Sequence, residues 1–300
     1  MIVGGDGPVL VIGATGNQGG QVVQALQAAG RSVHAFTRHP ESPQAQELNG
    51  RGARLVQGDL ADLRGMREAI GQVAGVFSVQ NFWDLGLNEE VRLGSNVITA
   101  AVQAGNRPHL VYSSGLGAER RQNVAAIDGK AVIEEQLKRS GVPFTILQPG
   151  LLMDDFEGAS LPFARPIQRM LRRHRPLVGR LFLATLRAAL PQQHAIPLAS
   201  LQDIGRMAVW AIQNPQESQG RTYRVVGSID TAAVLCRLWE EIRQESIPHI
   251  PALGAGVRLV HPEMAALLAW LGRNEVAPDD APIALQTYRT WLVSSESTYR

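Results

Sequence analysis

A chain of 300 residues that is 45% hydrophobic and 19% charged, with 30 glycines and 17 prolines, is composed like an ordinary globular protein able to bury a sizeable core. Its formal net charge of +2 gives no general attraction for nucleic acid or an anionic membrane, and no apolar run approaches the ~20 residues of a membrane span. The single cysteine, Cys236, has no partner for an internal disulfide, and no basic, long-apolar leader opens the sequence, so a cytoplasmic location is expected.

Taken in order, the first half alternates two kinds of segment. Apolar, β-branched runs at Val9 to Ile12, Ser32 to Thr37, Ala53 to Gln57, Gly75 to Val79, His109 to Tyr112 and Pro143 to Leu147 predict strands. Amphipathic stretches lie between them: Val22, Val23 and Leu26 share one helical face, as do Val132, Ile133 and Leu137, with Gly30 and Gly141 placed to end those helices. Such alternation predicts βαβ crossovers, hence an α/β fold with a Rossmann-type, doubly wound parallel sheet. After Gln148-Pro149-Gly150 the rhythm breaks. Helical signals follow at 160–190, Leu201 to Gln213, Thr231 to Gln244, Val257 to Leu271 and Ile283 to Val293, with one short strand at Thr222 to Val226. The expected division is a nucleotide-binding domain over 1–150 and a smaller, mostly helical lobe over 151–300, lying at the C-terminal edge of the strands and facing a substrate or partner.

The first strand runs directly into Gly13-Ala14-Thr15-Gly16-Asn17-Gln18-Gly19, and a helix opens there. Glycines at this spacing allow a sharp turn and let main-chain amides approach a pyrophosphate, whose charge the helix start favours. The second strand ends at Thr37-Arg38-His39, where an NAD site would place a carboxylate for the ribose 2′-hydroxyl. Arg38 instead suits a 2′-phosphate, so the sequence favours NADP(H) over NAD(H). Asp59 after the third strand has two readings: acceptor for an adenine amino group, or start of the helix near Asp62.

These motifs resemble the NmrA-like family, an atypical branch of the short-chain dehydrogenases. The resemblance spans about residues 8–230 and is carried, in order, by Gly13 to Gly20, Thr37-Arg38, Gly58-Asp59, Tyr112-Ser113-Ser114, Asp128-Gly129-Lys130 with Glu134-Glu135, Gly141-Val142-Pro143 and Asp203-Ile204-Gly205. Gln80-Asn81-Phe82-Trp83 and Asp128-Gly129-Lys130 are closest to NADPH-sensor members. The resemblance implies NADP(H) as ligand and two kinds of activity: NADPH-dependent reduction of quinones, dyes or related acceptors, or redox sensing through a regulated protein partner without turnover.

In ordinary short-chain dehydrogenases a tyrosine four residues before the motif lysine supplies a proton. Position 126 here is Ala126, although Lys130 is present and can contact the nicotinamide ribose. Ser113 and Ser114 close the fifth strand, where open α/β sheets bind ligands, and suit either a substrate contact or a loop cap. Lys130 and Ser113 are thus the catalytic candidates. Gln80 joins the coenzyme-contact candidates, while Asn81, Phe82 and Trp83 can wall the substrate or partner side or belong to the core. The seven histidines show no metal-ligand spacing, and no metal is expected.

One local feature stands apart. No acidic residue lies between Glu157 and Asp203, while Arg165, Arg169, Arg172, Arg173, Arg175, Arg180 and Arg187 all do. This segment reads as a solvated face, a lid over the substrate side or a contact for a partner or a phosphate backbone, and the apolar run Leu181 to Leu186 beside it can line a pocket or dock on another chain, a homodimer included.

Overall fold

A computed structural model describes residues 7–157, 175–271, 273 and 281–296. They group into two compact units: Met1–Gln148 with Leu201–Arg224, and Pro149–Ser200 with Val225–Arg300. The segment 201–224 therefore returns to the first unit, where a single division at residue 150 had been expected.

The first unit holds a seven-stranded sheet in the order β3-β2-β1-β4-β5-β6-β9. Its strands are β1 (Val9–Ile12), β2 (Val33–Thr37), β3 (Arg54–Gln57), β4 (Gly75–Ser78), β5 (His109–Ser113), β6 (Phe144–Pro149) and the edge strand β9 (Arg221–Val225). Each pairing among the first six is parallel, and the order steps outward on both sides of β1, as predicted for a doubly wound sheet. β1, β2, β4 and β5 are buried at every position, which is why they read as unbroken apolar runs rather than as alternation.

Helices α1 (Asn17–Ala28), α2 (Pro43–Gly50), α3 (Leu63–Ile70), α4 (Phe82–Ala104) and α5 (Ala125–Arg139) link these strands. Gly30 (φ +72°) and Gly141 (φ +74°) follow α1 and α5 in the left-handed conformation that lets the chain leave a helix. α4 and α5 pack closely because Gly94 sits against Ile133: a Cβ on Gly94 would lie 2.5 Å from the Ile133 Cδ1. α4 also carries a break at Gly86, whose φ is +72°. The core between this helix pair and the sheet gathers Leu10, Val76, Val97, Leu110, Ile133 and Ile146.

The second unit is not purely helical. Between the two segments of the first unit and after them it forms a three-stranded sheet, β10-β8-β7, from β7 (Leu151–Leu152), β8 (Ala195–Ala199) and β10 (Ser228–Thr231). The sequence gives little sign of β8 because Pro197 interrupts it, and prolines are rare in strands with neighbours on both sides. β7 pairs in parallel with Leu198 and Ala199, while β10 runs antiparallel along Ala195 to Leu198. Helices α6 (Arg175–Ala189), α9 (Ala232–Arg243), α10 (Ala252–Val260), α11 (Pro262–Leu271) and α12 (Tyr288–Glu296) complete this unit, while α7 (Leu201–Gln213) and α8 (Pro215–Ser218) belong to the first. The helix expected over Val257 to Leu271 is two helices, since His261 before Pro262 is driven out of helical geometry (φ −142°, ψ 74°). The helix expected from Ile283 begins only at Tyr288. Thr231 caps α9, its hydroxyl accepting from the Val234 N–H at 3.4 Å.

Phe156, Phe182, Tyr288 and Trp291 form the aromatic centre of the second unit, with ring centroids 5.2–6.5 Å from Phe156. Phe182, Leu183, Ala184 and Leu186 of the apolar run are buried in this unit, leaving Leu181 at 39% exposure, so most of the run is core rather than a docking face. Arg180 and Arg187 are also spoken for: they donate to the backbone carbonyls of Ser246 (2.8 Å), Ile247 (3.2 Å) and Pro248 (2.8 Å). Arg165, Arg169, Arg172 and Arg173 lie outside the described residues.

Candidate functional site

The turn between β1 and α1 is built from contacts that a side chain would prevent. Gly13 has φ +82°, and a Cβ there would also meet the Val79 Cγ1 at 2.9 Å. A Cβ on Gly19 would fall 2.1 Å from the Gly13 carbonyl oxygen, so only glycine lets the first turn of α1 settle on the end of β1. Gly16 is the N-cap and offers no side chain to occupy the helix start; no acidic residue stands in the first turn. Thr15, Gly16 and Asn17 are exposed, so the cradle faces solvent. An anion placed there meets main-chain amides and the positive end of a 12-residue helix. The diphosphate of a dinucleotide fits this cradle. On the far side of α1, α7 approaches at Gly205, where a Cβ would lie 2.9 Å from the Gln21 carbonyl oxygen. This accounts for Gly205 of the Asp203-Ile204-Gly205 motif as helix packing, while Asp203 is buried and accepts from Arg206 at 2.9 Å.

Arg38 is exposed just beyond β2, and the nearby acid Glu41 lies 3.3 Å from the His39 Nδ1 instead. Its guanidinium has no protein partner among the described residues. Asp59 spends one carboxylate oxygen on the Ala61 N–H (2.8 Å), while the cap of α3 is Asp62, which accepts from the Arg64 N–H. Asp59 thus shapes the turn before the helix and leaves the capping itself to Asp62.

On the other side of the same sheet edge the geometry is made by side chains. Ser113, fully buried at the end of β5, donates to the Gln18 Oε1 at 2.7 Å and so ties β5 to the start of α1. Ser114 turns away, donating to the Glu134 Oε1 at 2.6 Å; Gln148 (2.8 Å) and Lys138 (2.9 Å) donate to the same carboxylate. Gln80 is buried, its Nε2 bonded to the Ser78 hydroxyl at 2.9 Å and its Oε1 without a protein partner. Asn81 caps α4 by accepting from the Trp83 N–H at 3.2 Å and binds Asp84 at 2.8 Å. Phe82 is 9% exposed and meets Trp83 edge-on at 5.2 Å, so Phe82 belongs to the core and Trp83 stands half-buried beside it.

Lys130 on α5 donates to the Gln80 carbonyl at 3.3 Å and to the Glu90 Oε1 at 3.0 Å. Glu90 is completely buried. Burial holds its carboxyl above the usual carboxylate range, an effect opposed by the Lys130 ammonium and by the nearby Phe82 backbone N–H. The Tyr112 hydroxyl, buried near Glu90 and Glu134, is likewise pushed well up by burial and by the two carboxylates. Ala126 is buried one helical turn before Lys130. Sequence reading missed Glu90. The available signal was a charge at the start of a buried helical stripe that continues through Leu93, Gly94 and Val97.

A cleft of about 280 Å³ lined by residues including Arg120, Arg121, Lys138 and Arg139 reaches Glu134 but none of the glycine turn. Among the described residues no cluster of three or more histidine, cysteine or acidic side chains is placed to hold a metal, and no helix is long and apolar enough to cross a membrane. Cys236 is buried in the second unit, its thiol pushed up to about 11 by burial.

Comparison with known proteins fits this architecture. The NAD(P)H azoreductase of Xenophilus azovorans is 30% identical over 219 residues, 73% of this chain and 68% of that protein. Several fungal NmrA-like oxidoreductases match over less than half of their own length. Among solved structures, the NADPH-dependent quinone oxidoreductase QOR2 of Escherichia coli, complexed with NADPH, superposes with a TM-score of 0.72 at 19% identity, covering 96% of this chain and 99% of that one. NmrA, a negative transcriptional regulator in complex with NADP, gives 0.66 at 16% identity over 98% and 92%. The model of the NmrA-like family matches residues 6–249, and the chain belongs to that family.

Proposed function

We propose that this protein is an NADPH-dependent reductase that passes hydride to a quinone-like or similar small acceptor without a tyrosine acid. The observation that carries the reading is the turn at Gly13 to Gly19, where main chain fills the space a Cβ would need and no side chain caps the helix start, which suits an anion. Bound there, NADPH supplies the hydride. In this reading Gly13, Thr15, Gly16, Asn17, Gln18 and Gly19 hold the diphosphate, Arg38 binds the 2′-phosphate and so selects NADP(H) over NAD(H), and Asp59 borders the adenine. Gln80 and Lys130 take the nicotinamide ribose side, Asn81 and Trp83 border the acceptor, and Ser113, buried and bonded to Gln18, braces the start of α1 instead of facing the acceptor. Because position 126 is alanine, no phenol stands ready to protonate the product, so the proton follows from water. That favours acceptors whose reduced anion is already stabilised, quinones and azo or other dyes above all. A cytoplasmic setting, with its NADPH supply, suits this chemistry.

The test is NADPH oxidation by the purified protein across a panel of quinones, azo dyes and enones. Turnover with at least one class supports the reading, and none with any of them contradicts it. Ala126 and the likeness to NmrA favour a second reading, a redox sensor that signals through a protein partner. It requires a partner whose affinity differs between the apo, NADP⁺ and NADPH forms.

A further inference from the structure

We infer that Glu90, which belongs to none of the sequence motifs, is a positioning residue that fixes the Lys130 ammonium toward the ribose side of the coenzyme; this rests on the reading that Lys130 faces that ribose. An ammonium has three N–H donors. Two are committed, one to the Glu90 Oε1 at 3.0 Å and one to the Gln80 carbonyl at 3.3 Å, which leaves a single donor in a fixed direction. The lysine side chain is 14% exposed and the Glu90 side chain 0%, so the pair is anchored from inside while the cation still reaches the surface.

Three segments meet around this ion pair: α4 through Glu90 and the nearby N–H of its first residue, Phe82, α5 through Lys130, and the turn after β4 through the Gln80 carbonyl that accepts from the ammonium. Glycine makes the approach possible, since a Cβ on Gly129 would lie 2.6 Å from the Glu90 Oε2. That Oε2 is buried without a hydrogen-bond partner. A carboxylate held this way is a poor device for stability alone, because desolvating two charges cancels much of their attraction and an apolar pair of similar size does as well. What the arrangement does supply is order: a free lysine loses much rotamer freedom on binding a ligand, and one already held loses little.

The experiment compares the dissociation constants of NADPH and of 2′,5′-ADP, which carries only the adenosine half, by calorimetry on the full chain. The variants are Glu90→Gln, Glu90→Asp and, as a control for general damage to α4, Leu93→Ala. Glu90→Gln is expected to weaken NADPH about tenfold while 2′,5′-ADP stays within about twofold, the scale of one charge-assisted hydrogen bond. Glu90→Asp, which keeps the charge, should recover part of the loss, and Leu93→Ala should leave the ratio of the two constants unchanged. If Glu90→Gln fails to fold, the ratio is read from Glu90→Asp, which should show a smaller loss in the same direction. An unchanged ratio in the Glu90 variants, or an equal change in Leu93→Ala, overturns the positioning role while leaving the coenzyme reading intact. Wild-type protein that binds neither ligand overturns both.

Discussion

The glycine turn after β1 and the Glu90–Lys130 cluster belong to the same unit and are made of opposite materials. The turn is backbone: its geometry exists because side chains are missing at Gly13 and Gly19, and its polar groups face solvent. The cluster is side chain: a buried carboxylate, a lysine bonded at two points and a glutamine with an orphaned oxygen. A backbone cradle binds whatever anion fits, with energy spread over several amides and a helix end. A charged cluster concentrates its energy in one pair, and breaking one partner exposes the cost of the other.

The largest expected effect follows from that contrast. Lys130→Met leaves Glu90 buried and unpaired, and chemical denaturation near neutral pH should show a loss of about 3–5 kcal/mol. The loss has a defined pH dependence. Glu90 has its folded pKa raised above the ordinary 4.5, so its contribution is intact below that value and is lost as pH rises through the folded pKa. Lys130 opposes that upward shift, so its removal raises the Glu90 carboxyl further and the variant loses more stability than wild type as pH rises; the gap should shrink from about pH 8 to about pH 5, and a gap that widens on acidification contradicts the assignment.

Gly19→Val attacks the other side of the comparison. Its Cβ would overlap the Gly13 carbonyl, so thermal melts should show a loss of about 1–3 kcal/mol and calorimetry no detectable NADPH binding. Arg38→Glu should leave the fold untouched, since Arg38 is exposed, and weaken NADPH about 10- to 100-fold while NADH changes little.

The smallest effect tests the sheet away from both regions. His109 is buried against the Thr145 hydroxyl, and burial lowers its pKa from 6.5 to about 4. Its neutral form contributes stability above pH 6.5 that is lost as pH falls toward about 4. In His109→Gln, melting temperature should depend less on pH across that window than in wild type.

How much could be read beforehand divides along the same line. Backbone requirements are written directly in residue type: glycines at 13, 16 and 19, apolar runs in β1, β2, β4 and β5, left-handed glycines at 30 and 141. The parallel sheet and the glycine cradle were legible for that reason. Side-chain constellations are not, because Glu90 and Lys130 are 40 positions apart and meet only once Gly94 and Gly129 bring two helices together. β8 was hidden by Pro197, and the break at His261-Pro262 lay inside a run whose apolar content looked continuous. The return of residues 201–224 to the first unit depends on Gly205 seating α7 on α1, a contact that no local pattern announces.

The central claim is that a dinucleotide phosphate sits on the turn at Gly13 to Gly19, with Arg38 choosing the 2′-phosphate. Titrating wild-type protein with NADPH and NADH in one calorimetric series tests it most directly. The account predicts a single site, tighter for NADPH by tenfold or more, in line with one charge-assisted contact. No heat with either coenzyme, or equal affinity for both, would contradict it.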